Sequence, residues 1–265
     1  MRFKSFLRGL APVAAIVLAA AASGGCDKMS HVSINGEEGK PLADLDLTGE
    51  APSEVVLLGP DSVKIATGDK LAIAMVGDER VKEAMRFTLK DGTLGILRKG
   101  GSWSGDGERV TVEVTMPAPR KLTMAGSGRI DAADLAADKA RVTIAGSGTI
   151  ETARVETAEL KVDIAGSGSY RAAGNAKSLK LTIAGSGDAR LDALKVDAAK
   201  VDIAGSGNST FASDGSVKAS IMGSGEVRVI GRATCKVTAM GSGRLVCEPA
   251  AASAEAKPAG EKPKA

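Results

Sequence analysis

The chain has 265 residues, of which 43% are hydrophobic but only 2% aromatic, and its formal net charge is +3. A charge this mild gives no argument for a nucleic-acid-binding protein. The composition predicts a narrow core of Val, Ile, Leu and Ala, and the stretch from about 51 to 247 is long enough for one sizeable core.

Residues 1–25 have the pattern of a bacterial export signal. The positive charges of Arg2, Lys4 and Arg8 precede an apolar stretch from 10 to 22. This stretch is too short for a convincing membrane-spanning helix, which needs about 20 apolar residues. A charged start followed by a short apolar segment is typical of signal peptides, which are removed from the mature protein.

The signal ends in Ser23-Gly24-Gly25-Cys26, which resembles a lipobox, the motif that directs acylation of its cysteine after cleavage. The small residues before Cys26 fit this motif, although Ser23 stands where leucine is usual. Cleavage at Ala20-Ala21-Ala22, as in an ordinary secreted protein, and an uncleaved anchor are the alternatives. The favoured hypothesis is a lipoprotein that is held to a membrane through Cys26.

Residues 26–50 are polar and mixed, and we expect them to be a linker. Alternating patterns then predict short strands over 55–58, 62–66, 71–76, 87–89, 93–97 and 110–116. Between them we expect one or two helical turns over 78–86, a hairpin turn at Lys90-Asp91-Gly92 and a glycine-rich loop over 100–107. We interpret 51–116 as irregular coils that cap a repeat array.

The repeat is a Gly-Ser-Gly segment that occurs seven times in steps of 18 to 20 residues. Its glycines are Gly126, Gly128, Gly146, Gly148, Gly166, Gly168, Gly185, Gly187, Gly205, Gly207, Gly223, Gly225, Gly241 and Gly243. The residues two and four before each first glycine are apolar, and the residues three and five before it are mostly polar. This alternation predicts a strand with one buried face before each glycine turn.

A unit of about 20 residues cannot bury an apolar face alone, but stacked units can. The sequence therefore predicts an all-β fold, a right-handed parallel β-solenoid with about seven coils over 117–247 behind the capping coils. Neighbouring coils would lie about 4.8 Å apart. We expect the serines of the turns to hydrogen-bond locally, and residues 248–265, rich in Ala, Pro, Lys and Glu, to be a disordered tail.

One outward column of this solenoid is basic. The residues five before each first glycine, which we call the basic column, are Lys121, Arg141, Lys161, Lys180, Lys200, Lys218 and Lys236. Like charges this close repel by roughly 1 kcal/mol per pair in water. The column predicts a site for an anionic polymer such as lipopolysaccharide or an acidic polysaccharide. The alternative is a solvated edge whose lysines meet acids such as Asp163 and Asp202 and deter aggregation.

Cysteine usage agrees with export. Besides Cys26 the chain has Cys235 and Cys247, which flank the last Gly-Ser-Gly. A pair in an oxidising compartment predicts a disulfide that locks the final coil, with two free thiols as the alternative.

The exported chain, the strand at 110–117, the Lys121–Gly128 segment, the repeated Gly-Ser-Gly coils and the flanking cysteines together resemble the head GIN domain family, bacterial envelope proteins named as auto-transporter adhesins. The resemblance covers about 51–247. It implies a parallel β-solenoid at the cell surface or in the periplasm, and it implies no activity or site.

Catalysis is the alternative function. Asp163 and Asp202 share an outward column two coils apart, roughly 9–10 Å by coil spacing, as in an inverting glycosidase or polysaccharide lyase. Thr182 separates them, however, and no aromatic sugar platform is evident. The glycine turns lack the following helix of a phosphate loop. His31, the one histidine, lies in the linker. We predict no enzyme, metal or cofactor.

The sequence thus predicts a non-catalytic protein of the cell envelope, in the periplasm or at the outer membrane, with an adhesin-like, surface-binding or structural role. Its expected partners are a membrane, through a lipid anchor, and an anionic envelope polysaccharide or lipopolysaccharide. Specific nucleic-acid binding is not expected, because stacking aromatic residues are scarce.

Overall fold

The computed structural model describes residues 33–99 and 109–249. The predicted export signal, Cys26, His31, the loop predicted over 100–107 and the tail after 249 lie outside these residues. Within the described ranges the protein is nearly all β-structure, a stack of parallel coils with about six turns. None of the described helices has the length and apolar character needed to cross a bilayer.

The chain begins with a small hairpin and irregular opening strands. The hairpin consists of β1 (Ser33–Ile34) and β2 (Glu37–Glu38), and a 3-10 turn follows at Leu42–Asp44. The opening elements are β3 (Glu54–Leu58), β4 (Ser62–Thr67), β5 (Ala72–Val76), α1 (Glu79–Ala84), β6 (Met85–Lys90), β7 (Thr93–Arg98), β8 (Thr111–Met116) and β9 (Lys121–Gly126).

The first five strands of the repeats are long and each wraps about once around the stack, whereas the last three are short segments of the final coils. In chain order the strands are β10 (Arg129–Gly146), β11 (Thr149–Gly166), β12 (Ser169–Gly185), β13 (Asp188–Gly205), β14 (Asn208–Gly223), β15 (Glu226–Ile230), β16 (Thr234–Gly241) and β17 (Arg244–Glu248). Consecutive coils pair in parallel with matching columns, so that Ile144 lies beside Ile164 and Gly146 beside Gly166. The predicted solenoid is confirmed, and its seven glycine turns bound about six turns of chain.

Each regular coil has three faces. In β11 the alternation of buried and exposed residues changes phase at Ala153-Arg154 and at Ala158-Glu159, where two exposed residues follow one another. These two pairs and the turn Gly166-Ser167-Gly168 are the three corners of the coil. We call the segment after a Gly-Ser-Gly the first face, the next the second face, and the segment before the following Gly-Ser-Gly the third face. The basic column lies on the third face.

The core is one continuous apolar cluster along the stack, mostly Val, Ile, Leu and Ala, as the composition predicts. Burial of each large aliphatic side chain contributes about 1.5–3 kcal/mol. Two aromatic side chains on the first face, Tyr170 and Phe211, depart from this aliphatic composition and are fully buried. Burial raises the pKa of Tyr170, whose hydroxyl lies 3.4 Å from Thr152 Oγ1.

The serines of the glycine turns are exposed, and their hydroxyls make no hydrogen bond within the described residues. The backbone instead holds the turns together, since Ser147 N and Ser167 N each donate to the first glycine carbonyl of the coil before. Hydrogen bonds between the backbones of neighbouring coils therefore take the place of the local serine hydroxyl bonds that we expected.

The opening strands start the stack as the sequence predicts. On the third face β7, β3 and β9 pair in parallel and lead into β10, and on the first face β8 and β4 do the same. Antiparallel partners, β6 on β7 and β5 on β8, close the two outer edges. The turn between β6 and β7 has positive φ at Asp91 and Gly92, as an Asp-Gly hairpin requires.

A buried ion pair, which the sequence does not reveal, fixes the first turn of the stack. Asp61 is fully buried and its carboxylate accepts two hydrogen bonds of 2.6 Å from the Arg98 guanidinium and one from Val110 N. This pairing satisfies a charge that would be costly to bury alone. Asp61 and Arg98 belong to different coils, so the pair joins them.

The linker predicted over 26–50 is folded from Ser33 onwards. Ile34 is 2% exposed and packs on Val56, Leu58 and Leu97. The prediction failed because this segment has one large buried residue and no alternating pattern. The Asn35-Gly36 pair, with positive φ at both residues, is the local signal that identifies the hairpin.

The final coil is closed by the predicted disulfide, Cys235–Cys247, which joins β16 to β17. These strands end the described stack. Val237 is 50% exposed, although it occupies a position that is buried in earlier coils.

Candidate functional site

The structure brings the whole basic column into one line on the third face. Strand register places each member directly beside the next, from the β9–β10 pair to the β14–β16 pair. The spacing between neighbouring strands is about 4.8 Å. The basic column that the sequence predicts is therefore present as a continuous line of basic residues along the third face.

The middle column of the third face is more buried than its polar side chains suggest. Thr123, Thr143 and Thr182 are buried, and Asp163 is only 1% exposed. The expectation that Asp163 belongs to a solvated edge is therefore wrong. Each of these short side chains lies between those of the neighbouring coils and next to the basic column. This position leaves it little contact with water.

Acidic partners balance part of the basic column. The Asp163 carboxylate lies 3.3 Å from Lys161 Nζ and 3.8 Å from Arg141 Nε, and it has no hydrogen bond among the described residues. At the opening end Lys121 pairs with Glu54 at 2.9 Å. The predicted contacts between the basic column and nearby acids are thus present.

The unbalanced charge lies toward the C-terminal end of the column. Lys200 pairs with Asp202 at 2.6 Å. Lys180, Lys218 and Lys236 are exposed and have no ion pair within residues 33–99 and 109–249. We call these three the unpaired lysines. A mobile anion can approach them without displacing a protein carboxylate.

Apolar side chains adjoin the unpaired lysines. The residue before each first glycine is Ala in five coils, but Met222 and Met240 take this place in β14 and β16. They lie side by side and are 38% and 68% exposed. Together with Val237 they account for three of the four exposed large hydrophobic residues in the described part of the chain.

The N-terminal hairpin covers the opposite end of the same third face. Val56 and Leu58 pair in register with Thr123 and Ala125, so they occupy outward positions of this face. Ile34 packs on both of these side chains. Gly95 leaves space for the Ile34 side chain, since a Cβ at position 95 would lie 2.5 Å from Ile34 Cδ1. The chain therefore approaches the solenoid over its third face.

The first face differs because most of its charges are matched on the protein itself and its columns mix acids with bases. Arg129 donates to Asp131 at 2.9 Å and to Glu151 at 2.7 Å, and the bond to Asp131 is the main reason that its pKa is raised. Farther along, the hydrogen bond from Arg244 lowers the pKa of Glu226. This face offers no column of a single sign.

A groove of about 460 Å³ follows the second face and the corner after it. Its charged lining comprises Asp138, Glu156, Lys177, Lys195 and Asp197. Because these charges have both signs, the groove does not select a ligand of one charge.

The features that a carbohydrate-active enzyme would need are not assembled in the described residues. Asp163 and Asp202 do share a column with Thr182 between them, but Asp163 is buried and both carboxylates contact cations. Phe87, Tyr170 and Phe211 are fully buried and cannot stack on a sugar, while Trp103 lies outside the described residues. No group of three His, Cys, Asp or Glu suited to a metal occurs within the described ranges.

Comparison with known proteins agrees with this architecture. The family model described as "Putative auto-transporter adhesin, head GIN domain" matches residues 51–233. This chain belongs to the head GIN domain family. The resemblance seen in the sequence is confirmed, and the family description is that of an adhesin head, a surface-binding part of exported proteins.

Solved structures share the head GIN domain fold. A crystal structure described as a putative adhesin from Bacteroides fragilis is 16% identical, with a TM-score of 0.63, and the match covers 76% of this chain and 93% of that chain. One described as a putative lipid binding protein from Parabacteroides distasonis is 19% identical, with a TM-score of 0.58 and coverage of 76% and 94%.

A third, described as a putative adhesin from Parabacteroides merdae, is 19% identical, with a TM-score of 0.56 and coverage of 76% and 93%. At these identities the likeness establishes a common fold. No curated protein matches the chain.

Proposed function

We propose that this head GIN domain protein is a non-catalytic, lipid-anchored envelope protein whose third face binds an anionic envelope polymer, either lipopolysaccharide or an acidic polysaccharide. The observation that carries the proposal is the basic column, in register on one face, with Lys180, Lys218 and Lys236 unpaired. Carboxylate or phosphate groups are the ligands that such a column selects.

The arrangement of the basic column favours binding over a purely structural role. Aligned lysines repel one another, at roughly 1 kcal/mol for each close pair in water. The protein offsets this repulsion near Lys121, Arg141 and Lys161 with Glu54 and Asp163. It does not do so at the unpaired lysines, where a bound polyanion would supply the missing charge. A polymer with repeating negative groups matches a column with a repeating spacing.

Anchoring through Cys26 would place this face close to a membrane. Six residues, 27–32, separate Cys26 from the first described strand. A fully extended chain of this length reaches at most about 25 Å. The head would therefore stay near the lipid rather than extend far from it, in contrast to the longer linker that the sequence suggests.

The proposal is tested with the chain from Asp27 to Ala265, which contains every described residue. We expect it to bind alginate and lipopolysaccharide, but not neutral dextran, with an affinity that falls steeply as salt is added. The variant K180E/K218E/K236E should lose this binding. Mass spectrometry of the protein purified from membranes should find acyl chains on Cys26.

The matched control is K64E/K70E/K177E, which makes the same charge change at three exposed lysines away from the basic column. It should keep the binding of the parent chain. Equal loss in both variants would assign the effect to net charge and overturn the site. Absence of binding by the parent chain at low salt would overturn polymer recognition altogether.

A further inference from the structure

We propose that the third face is a membrane-docking surface, which lies on the anionic phospholipid headgroups of the same membrane that holds Cys26. This inference rests on the lipid anchor and the basic face of the proposed function, and it adds phospholipid headgroups as a second anionic partner of that face. Three observations carry it: the path of the N-terminal hairpin, the distribution of charge, and the exposed methionines.

The path of the chain brings the anchor to the third face. The hairpin formed by β1 and β2 lies on this face, where Ile34 packs on Val56, Leu58 and Leu97. The six residues before Ser33 reach at most about 25 Å. Because these six residues start from the third face, an anchor at Cys26 would be attached to the head at this face rather than at either of the other two.

The distribution of charge complements the position of the hairpin. The hairpin lies at the opening end, where the basic column is balanced by Glu54 and Asp163. The unpaired lysines lie toward the other end of the stack, and β7 and β16 are separated by eight strand spacings of about 4.8 Å, on the order of 40 Å. The lipid anchor thus holds one end of the face, and the unpaired lysines supply the attraction at the other.

The exposed methionines are the feature of this face that a lipid surface can use and a soluble polymer cannot. Met222 and Met240 follow Lys218 and Lys236 on the same two strands, with one outward residue between each pair. A polysaccharide offers these side chains nothing apolar to contact. A bilayer interface can bind both the methionines and the lysines, because the methionines enter the headgroup region while the lysines contact phosphate.

A second copy of this chain is the alternative partner for the C-terminal end of the third face. β16 is an edge strand with exposed residues, and such edges can pair with another chain. Lys236 projects from this edge, however, and a lysine on an edge opposes strand addition. Among the described residues, the acids on the regular strands of the third face, Glu54, Asp163 and Asp202, already lie beside basic side chains of their own chain, so they are poorly placed to meet the lysines beside the methionines in a second copy.

The test measures binding of the chain from Asp27 to Ala265 to phosphatidylcholine vesicles with and without phosphatidylglycerol. We expect binding only when phosphatidylglycerol is present, lost at high salt. Each lysine near an anionic surface contributes about a fivefold gain in affinity. K180E/K218E/K236E should therefore weaken binding at least a hundredfold, and K64E/K70E/K177E should not.

The variant M222S/M240S separates lipid from polymer. It should weaken vesicle binding about tenfold or more and leave alginate binding unchanged, because its lysines remain. Circular dichroism should show the parent fold in every variant. Alginate binding without vesicle binding would overturn the membrane-docking proposal and leave polymer recognition standing. Concentration-dependent dimerisation that M222S/M240S abolishes, without vesicle binding, would assign this end to a second copy.

Discussion

At the scale of single residues, the two glycines of each turn serve different purposes. The first, such as Gly166, has φ of +113°, a conformation that favours glycine, and a Cβ there would lie 2.5 Å from the Gly146 carbonyl oxygen. At the second, Gly168, a Cβ would lie 2.4 Å from Ile144 Cγ2, so this glycine is needed for close approach between coils. The turns therefore interlock the coils as well as reversing the chain.

The substitution Gly166→Ala tests this interpretation. We expect it to lower the free energy of unfolding by about 2 kcal/mol or more, because backbone strain and a clash with the coil below act together. Chemical denaturation of both proteins measures the difference. Ser167→Ala is the control, since this side chain is exposed and should change stability by no more than about 0.5 kcal/mol. Similar effects for both substitutions would contradict the role assigned to Gly166.

At the scale of elements, the last coil depends on a covalent bond. β16 has only partly buried or exposed residues, in contrast to the equivalent segments of β11 to β13. Nothing described stacks on its outer edge, so Cys235–Cys247 must supply part of the stability that a further coil would provide. In the chain-entropy account, a bridge across this sequence separation contributes about 3 kcal/mol.

Replacement of both cysteines, as C235A/C247A, should release this coil without unfolding the stack. We expect amide hydrogen exchange in β16 and β17 to quicken about a hundredfold, which corresponds to this local loss of stability. Exchange in β11 should stay the same, because its neighbours on both sides remain. Uniformly faster exchange along the chain would show instead that the coils unfold as one unit.

The elements also explain how far the sequence could predict this molecule. The regular coils and the basic column could be predicted because a fixed period repeats the same alternation, so that each column is sampled seven times. The Asp61–Arg98 pair could not be predicted, since it joins two irregular coils that share no period. The docked hairpin was missed for a related reason: Ile34 is a single apolar residue, and its partners are distant in sequence.

The candidate site shows the same limit. Periodicity identified every member of the basic column, but it could not tell which lysines are paired, because Lys121 finds Glu54 in a non-repeating strand. Nor could it predict the burial of Asp163, which depends on side chains from neighbouring coils. Local patterns thus predict columns, whereas the charge and exposure of a column depend on three-dimensional packing.

At the scale of the whole molecule, the position of the hairpin makes the three faces of the solenoid and its two ends different from one another. One face carries the hairpin at one end, the unpaired lysines along its C-terminal half, and Met222 and Met240 at the other end. The first face carries acids and bases that are mostly paired with one another, and the second face carries a groove of mixed charge. With the acyl chains that we propose on Cys26, such an asymmetric prism should lie along its membrane rather than stand away from it.

This orientation is tested with the acylated chain in bilayers that contain phosphatidylglycerol, labelled with a fluorophore at one introduced cysteine. The positions are Thr238→Cys on the third face, Arg171→Cys on the first and Glu156→Cys on the second, all exposed residues. A quencher on the lipid headgroups should act most strongly at position 238, because the unpaired lysines hold that face to the surface. High salt should reduce the difference, since it screens the attraction. Equal quenching at the three positions at low salt would mean that the head turns freely on its anchor, and strongest quenching at position 171 would mean that another face meets the membrane.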